Sequence, residues 1–515
     1  MIELNKQAKG IVEPQKILAV DGEYDVVVVG GGVAGVGAAI AAARGGCKTL
    51  VLERESMLGG LATAGLVNIP LDFVSGIGQE MFDQLIEING LWHRNSDPEK
   101  HKLVLDRMVL REGIDVLFHT YVVDAIMEGD AIRGVVVESK SGRQAILAKR
   151  VIDCSGDGDI SAFAGAEFKA GRDSDGLFQA CSLEFRLGGV DYDKYNNSDL
   201  KKNDPKWIKL ITETEKKGER AMEADNHLNW LTHVPGRPEH QGDDEVSICF
   251  VHSRFCNPLD NHDLTRMYIN GREQADMLWR FIKKYVPGFE SCWLIDTAPL
   301  LGVRDGRRII GEYVLTAWDI ANWKHFDDVI TISAHGYDIH RPDGVGNIKW
   351  IEHEIDGEKR YVISTRAGFG ASWLPEGVSH DDLCDAKGRT GEDMEFPQPC
   401  YYDIPYRCLV PQKIENLLVA GRCLSADFEA QSGCRLIMAC LTMGQAAGTA
   451  TAMSLKAQVG PRKIDRVELQ KRLIGDNVNI GQQMRSIPDV CEKGQTAQEF
   501  EGYATPVVRL DGKMD

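Results

Sequence analysis

The clearest apolar pattern in the chain is Asp25-Val26-Val27-Val28-Val29, an unbroken β-branched run with no alternation, followed by a cluster of glycines. A continuous run bounded by turn residues predicts a strand covered on both faces, as in a parallel sheet. The small-residue stretch Val33–Arg44 predicts a helix, and Thr49-Leu50-Val51-Leu52-Glu53 predicts a second buried strand. Together they make a β–turn–α–β unit. Residues 1–23, polar and without a period, read as a surface extension.

Further along, His101–Glu112 predicts a helix and Val116-Leu117-Phe118 a strand. A meander follows over Val122–Met127, Ala131–Ser139 and Gln144–Lys149, with turns at Gly129-Asp130 and Ser141-Gly142. Arg150–Asp153 then predicts a short buried strand. Between about 185 and 400 the texture shifts to loops rich in Asp, Asn, Pro and His, and the segment holds eight of the nine tryptophans, Trp207 to Trp373. That segment reads as an inserted domain. Asn416–Gly421 is again a buried strand ending in Gly, and Cys434–Leu455 a long helix. The expected class is α/β, with a parallel sheet, helices and a β-meander carrying a large α+β insertion. The expected division is an extension over 1–23, a discontinuous domain over 24–185 and 400–460, an insertion over 186–399, and a C-terminal extension over 461–515.

Composition narrows the function classes. At 515 residues, with 43% apolar and 26% charged residues and no apolar run near eighteen, the chain reads as a globular protein without a membrane span. A net charge of −18 argues against a nucleic-acid partner, since phosphate binding needs a Lys/Arg surface. The first residues, MIELNKQAKGIVEPQKI, show neither an apolar core nor a cleavage site, so the cytoplasm is the expected location. Thirteen cysteines without any CxxC pair point to small buried hydrophobes rather than a metal centre, and no metal is expected.

The glycine cluster carries the first chemistry. Gly30-Gly31-Gly32-Val33-Ala34-Gly35 matches GxGxxG, with Gly30 for the tight turn, Gly32 for approach to a pyrophosphate and Gly35 for helix–strand packing. The N-terminus of the following helix, at Val33 and Ala34, presents free N–H groups to an anion. Glu53 ends the next strand about twenty residues on, where a carboxylate accepts ribose hydroxyls and disfavours a ribose 2′-phosphate. Asp153-Cys154-Ser155-Gly156-Asp157-Gly158-Asp159 carries too many carboxylates for a phosphate loop, and no Glu closes it as a calcium loop.

The stretch Glu53-Arg54-Glu55-Ser56-Met57-Leu58-Gly59-Gly60 looks like the one that follows the second strand in FAD enzymes. With VIDCSGDGDISAFAGAEF in the middle and IPYRCLVPQKIENLLVAGRCLSADFEAQSGCRLIMACLTMGQAAGTATAM near the end, the sequence resembles the bacterial FAD-dependent oxidoreductases. These are two-dinucleotide-fold flavoproteins, distantly like the fumarate reductase flavoproteins. The resemblance implies a Rossmann-like FAD-binding fold and FAD as cofactor. It places Arg54, Gly59 and Gly60 along the cofactor, Ser155 and Gly156 at its diphosphate through backbone N–H groups, and Val123 against adenine. It assigns Gly421, Arg422, Gly433, Cys434 and Arg435 to the ribityl and isoalloxazine region. Many relatives carry an acid where this chain has Arg422. A cation there favours a phosphate or the anionic reduced flavin, or pairs with a carboxylate.

Catalytic groups are expected from the insertion. Leu301-Gly302-Val303-Arg304-Asp305-Gly306-Arg307-Arg308 places three guanidinia close together, and the family's similar segment favours Arg304 and Arg308 as substrate-holding groups. In His335-Gly336-Tyr337-Asp338-Ile339-His340, Asp338 could orient either histidine, and the family's Asp-x-His unit favours His340 as the proton-moving group. Tyr406 and Arg407 precede the return to the flavin and are expected to line the pocket. The tryptophans are core residues or a stacking surface.

The expected function is hydride transfer between flavin N5 and a small polar organic substrate, hydroxylated, sugar-like or carboxylated. The partners are that substrate and an electron acceptor or donor of unassigned type, with homo-oligomerisation open. Two alternatives stand beside it: a redox-neutral flavin enzyme (isomerase, lyase or methyltransferase), or the flavin-holding subunit of a larger redox complex.

Overall fold

The protein's structure, a computed structural model, describes residues 3–5, 10–12, 15–92, 94–219, 227–235, 244–365, 373–397 and 400–481. The valine run forms the end of β1 (Val20–Val29), where Val26, Val27 and Val28 are fully buried. Next in the chain come β2 (Thr49–Leu52), β3 (Asp115–Leu117), β4 (Tyr121–Glu128), β5 (Ala131–Ser139) and β6 (Gly142–Asp153). They make one sheet in the order β3-β2-β1-β6-β5-β4, and the strand Leu417–Val419 pairs with the end of β6. β1, β2 and β3 are parallel; β4, β5 and the first half of β6 are antiparallel.

The single strand β6 stands where two were expected, at Gln144–Lys149 and Arg150–Asp153. Its first half pairs with β5, and its burial there is broken. Its last four residues, Arg150–Asp153, are buried throughout, with β1 parallel on one side and Leu417–Val419 parallel on the other along Val151–Asp153. One strand therefore carries both the alternating and the continuous pattern. β1 likewise begins at Val20 because Val20 pairs with Ala145, so part of the expected 1–23 extension belongs to the sheet.

Helix α1 (Val33–Arg44) has no polar face: Ala34 through Ala42 are all buried. Helix α2 (Pro98–Arg111) opens on Asp97, whose carboxylate accepts the Glu99 and Lys100 N–H groups. Helix α3 (Asn261–Tyr285), at 25 residues the longest, lies in a stretch where the sequence reading named no helix. The helix expected over Cys434–Leu455 is α5 (Ile437–Lys456), which starts three residues later because a separate helix, α4 (Phe428–Cys434), ends just before it with its axis 93° away. Among the described residues no single helix is long and apolar enough to cross a membrane; α4 and α5 qualify only as a bent pair.

Helix α5 lies on α1 at backbone distance. A Cβ on Gly444 would stand 1.9 Å from the Ala34 carbonyl oxygen, one on Gly448 2.1 Å from that of Ala38, and one on Gly37 2.4 Å from that of Leu441. The contact brings the start of α5 and the end of the Leu417–Val419 strand against the first turn of α1.

The insertion builds its own core from residues between Cys181 and Val303, joined by Leu66. Its sheet has β7 (Phe185–Val190), β8 (Trp230–Val234), β9 (Asp244–Cys249) and β10 (Trp293–Thr297) in the antiparallel order β8-β9-β7-β10. Leu315 to Ile339 and Tyr401 to Val410 instead join α1 and α5 in the first core, so the segment 186–399 is shared between two cores. The expected C-terminal extension lies outside the described residues from 482 onward.

Substituting Gly444→Ala should lower stability by about 1–3 kcal/mol, because its Cβ meets backbone that cannot rotate aside. Denaturant unfolding followed by tryptophan fluorescence checks this. Gly475→Ala, whose Cβ would meet nothing within 4 Å, is the control and should change stability little.

Candidate functional site

The turn after β1 is shaped for close passage of another molecule. Gly30 has φ +98°, and a Cβ there would stand 2.4 Å from the Cys154 carbonyl oxygen. Gly35 sits inside α1, not on the cleft, where its Cβ would lie 1.8 Å from the Gly30 carbonyl oxygen. Gly32 caps α1 without a side-chain hydrogen bond, and a Cβ there would meet open space. The Glu53 carboxylate accepts the Gly31 N–H at 2.6 Å and the Glu55 N–H at 2.8 Å. Burial pushes its pKa up, although both N–H groups pull it down. Those bonds fix the carboxylate while its second lone pairs stay available.

These residues line a cleft of about 1210 Å³, part of it open to solvent. Its walls are Gly30, Gly32, Val33 and Ala34; Glu53, Arg54 and Glu55; Gly59 to Ala62; Thr120, Tyr121 and Val122; and Cys154 to Asp157 with Asp159. Leu300, Leu301, Val303, Ala420, Gly421, Arg422, Arg435, Ile437 and Cys440 complete the lining. Residues far apart in the chain thus meet, as the three sequence blocks anticipated. No tryptophan is on these walls.

Several expected positions differ. Val123 is off the cleft wall while Tyr121 and Val122 are on it. The β4–β5 register shifts between Val122 and Asp124, which breaks the alternation on which a face assignment rests. Ser155 lines the cleft, but its N–H and hydroxyl both donate to Asp153, at 3.0 and 2.7 Å, so the N–H is already engaged. Gly433 and Cys434 also lie off the wall: a Cβ on Gly433 would meet the Gly336 and His335 carbonyls, and Cys434 is fully buried. Arg422 does pair with a carboxylate, donating to Asp157 at 2.7 Å. Gly156 and Gly306 leave room for that pair, since their Cβ atoms would stand 2.8 Å from Arg422 and 2.1 Å from Asp157. Asp159 is pushed up to about 6 by burial and by Asp157 and Asp153.

Beyond Arg435 lies a buried polar cluster. Arg435 donates to the Asp338 carbonyl at 3.0 Å, with the Asp338 carboxylate 3.6 Å away. That carboxylate stands 3.4 Å from His340 Nε2 and bonds Lys349 Nζ and, at 3.3 Å, Asn347. Burial alone would raise Asp338, but Lys349 and His340 hold it well below the usual carboxylate range. The His340 ring stacks on His252 with centroids 5.3 Å apart. Arg304 lies 3.4 Å from His252 Nε2 and donates to the Ala180 carbonyl at 2.7 Å. Burial and Arg304 hold His340 well below the ordinary histidine value, against the pull of Asp338. Asp338 therefore partners His340, while His335 Nδ1 lies 2.9 Å from the Gly336 carbonyl oxygen. His252, Lys349 and Asn347 had no sequence signal, because His252 comes from a distant strand and the 347–349 segment meets His340 only through strand pairing.

Three expected catalytic residues stand elsewhere. Arg308 is fully buried and donates to Asp305 and to the Gly171 carbonyl, both at 2.7 Å. Tyr406 is fully buried and donates to the Pro461 carbonyl at 2.9 Å. Arg407 grips Asp328 through two bonds, at 2.9 and 3.0 Å. None of the three lines the cleft, and neither do Arg304 and His340, which belong to the buried cluster that Arg435 joins. Among the described residues no group of three or more His, Cys, Asp or Glu could hold a metal, and the cysteines there are free thiols.

The model of the family described as FAD dependent oxidoreductase matches residues 25–368 and 379–473. The thiamine thiazole synthase of Methanococcus vannielii is 33% identical over 151 residues, 26% of this chain and 56% of that protein. That of Methanococcus maripaludis is 30% identical over the same length. The chain spans about half the length of these curated relatives. Among solved structures, a geranylgeranyl bacteriochlorophyll reductase-like protein from Thermoplasma acidophilum aligns over 93% of this chain and 90% of its own, at 14% identity and a TM-score of 0.41. The p-nitrophenol 4-monooxygenase of Pseudomonas putida aligns over 57% and 70%, at 13% identity and a TM-score of 0.34.

Arg308→Met should destabilise the fold by about 3–5 kcal/mol, because it leaves Asp305 buried without its cation. Denaturant unfolding measures that loss. A stable variant that had lost only substrate affinity would return Arg308 to the site.

Proposed function

Because the chain belongs to the FAD dependent oxidoreductase family, we propose that it moves a hydride between flavin N5 and a small polar organic substrate held at the inner end of the cleft. One observation carries this reading: Arg435 lines the cleft beside Gly421 and Arg422 and is also bonded to Asp338 of the buried histidine cluster. Arg435 thus links the cleft wall to a buried acid–base cluster.

FAD is the cofactor of the family, and the cleft suits it. The open space at Gly32 and the uncapped start of α1 suit a diphosphate, and the fixed Glu53 carboxylate suits a ribose diol. Gly59, Gly60, Gly156 and Gly421 let a long ligand pass close to backbone. Arg422 is neutralised by Asp157, so the pair adds hydrogen-bonding atoms to the wall without adding net charge.

When bound, FAD supplies the hydride chemistry. The chain's own groups supply the proton and the orientation. His340, its pKa held down by burial and Arg304, is a neutral base at pH 7, and Asp338 beside Nε2 steadies the charge that forms when it takes a proton. Arg304 holds His252 against the His340 ring. Leu300, Leu301 and Val303 present apolar surface to the same end and keep it poor in water.

Purified protein should show flavin absorption bands, and the flavin should bleach anaerobically against one class in a panel of sugars, hydroxy acids, amines and enoates. Absence of the bands sinks the reading. Gly32→Trp places an indole in the open space and should yield folded protein without FAD. His340→Gln should keep FAD and slow bleaching by about 10²–10⁴-fold. An unchanged rate in single-turnover kinetics removes His340 from proton transfer.

A further inference from the structure

Cations outnumber carboxylates at the inner end of the cleft. Two of the four buried arginines here have a carboxylate at hydrogen-bond distance: Arg308 has Asp305 and Arg422 has Asp157, each at 2.7 Å. Arg304 and Arg435 do not. Among the described residues the Arg304 guanidinium makes no ion pair, and it bonds the Ala180 carbonyl at 2.7 Å, His252 at 3.4 Å and the Cys249 sulfur at 3.7 Å. Arg435 bonds the Asp338 main chain, and its buried Nε has no partner. The one carboxylate within ion-pair distance of Arg435, Asp338, is shared with Lys349 and His340.

The remaining charged neighbours do not close the balance. Glu184 lies on the Arg304 side, fully buried, with its pKa pushed to about 7 by burial. Lys206, whose ammonium donates to the Asn229 carbonyl, adds a cation on the side of Lys349 and Asp338. Arg304, Arg435, Lys349 and Lys206 therefore face Asp338 and Glu184. The crowding shows at Arg435, which burial and the neighbouring Arg304 and Arg422 lower to about 10 despite Asp338. Buried guanidinia ordinarily have an anion beside them, because an uncompensated charge away from water is costly. Among the described residues the carboxylates here are fewer than the cations.

We propose that the substrate is a small organic carboxylate, its charged end held by the Arg435 guanidinium with Arg304 behind it. This rests on the reading of the cleft as the FAD site and of the histidine cluster as the substrate chamber. The Nε and Nη groups of an arginine form a planar fork that matches a carboxylate's two oxygens. Arg435 has one prong unengaged and lies on the cleft wall with Val303, the residue before Arg304. A carboxylate there would sit beside His340, placing the adjoining carbon within reach of the base.

The test uses the FAD-loaded full chain. Acetate, malonate and benzoate are titrated against acetamide, malonamide and benzamide, with inorganic phosphate as a further anion, while the visible flavin band is followed. At least one carboxylate should perturb the band saturably, with a Kd at least tenfold lower than its amide. In Arg435→Lys that retains FAD, that Kd should rise tenfold or more. Equal binding of acid and amide, tighter binding of phosphate than of every carboxylate, or an unchanged Kd in Arg435→Lys overturns the proposal. The comparison on the unaltered protein decides even if the variant does not fold. Failure of the underlying reading looks different: it is protein without flavin bands, or a flavin that no compound bleaches. A flavin bleached by sugars or amines while carboxylates leave band and rate unchanged keeps that reading and sinks the carboxylate.

Discussion

The contact between α1 and α5 is the constraint on which the site depends. Three glycines let the two helices approach until the atom opposite each would-be Cβ is a main-chain oxygen. Helices held by larger side chains would lie farther apart, typically about 8–10 Å between axes. Here the closeness sets the distance from the first turn of α1 to Gly421, whose Cβ would stand 3.0 Å from the Ala34 methyl. It also sets where α5 begins, with Arg435 and Ile437 on the far wall of the cleft that Gly32 and Ala34 open. A cleft assembled from the two ends of a long chain needs such a rigid join, because nothing local in sequence relates them.

Charge balance separates the arginines that build the protein from those free to act. Arg308 with Asp305, Arg407 with Asp328 and Arg422 with Asp157 are complete pairs, and breaking any one leaves a charge stranded. Such pairs carry their own counter-charge and need none from a ligand. Arg304 and Arg435 spend their donors on carbonyls, a histidine and a thiol, and keep their positive charge largely uncompensated. Around them the titration of neighbours follows the local sign: Asp338 is held down and His340 is kept neutral.

The nucleotide end of the site was legible because its logic is local. Gly30, Gly32 and Gly35 report a turn, an opening and a packing contact at fixed offsets, and Glu53 follows at the distance one helix and one strand require. Val123 was misplaced for a local reason too, a register shift that no alternation rule foresees. The acid–base end was half legible. His340, Asp338 and Arg304 stood out by residue type, whereas His252 and Lys349 reach them only through tertiary pairing. The choice of Arg308 had a warning in the sequence, since Asp305 lies three residues before it and forms its ion pair. Tyr406 and Arg407 were chosen for nearness in sequence to the returning strand, and their side chains turn to Pro461 and Asp328 instead.

The stacked histidines come from different bodies of the fold. His252 lies just beyond β9, whose strand belongs to the core built between Cys181 and Val303, whereas His340 follows Ile339 of the core that contains α1 and α5. The seam between these two cores therefore passes between the two stacked rings, at the place proposed above as the substrate chamber. Such a division is modular: the inserted sheet can be exchanged or remodelled in evolution, or by a designer, to present a different face to His340. The half that retains the flavin need not change.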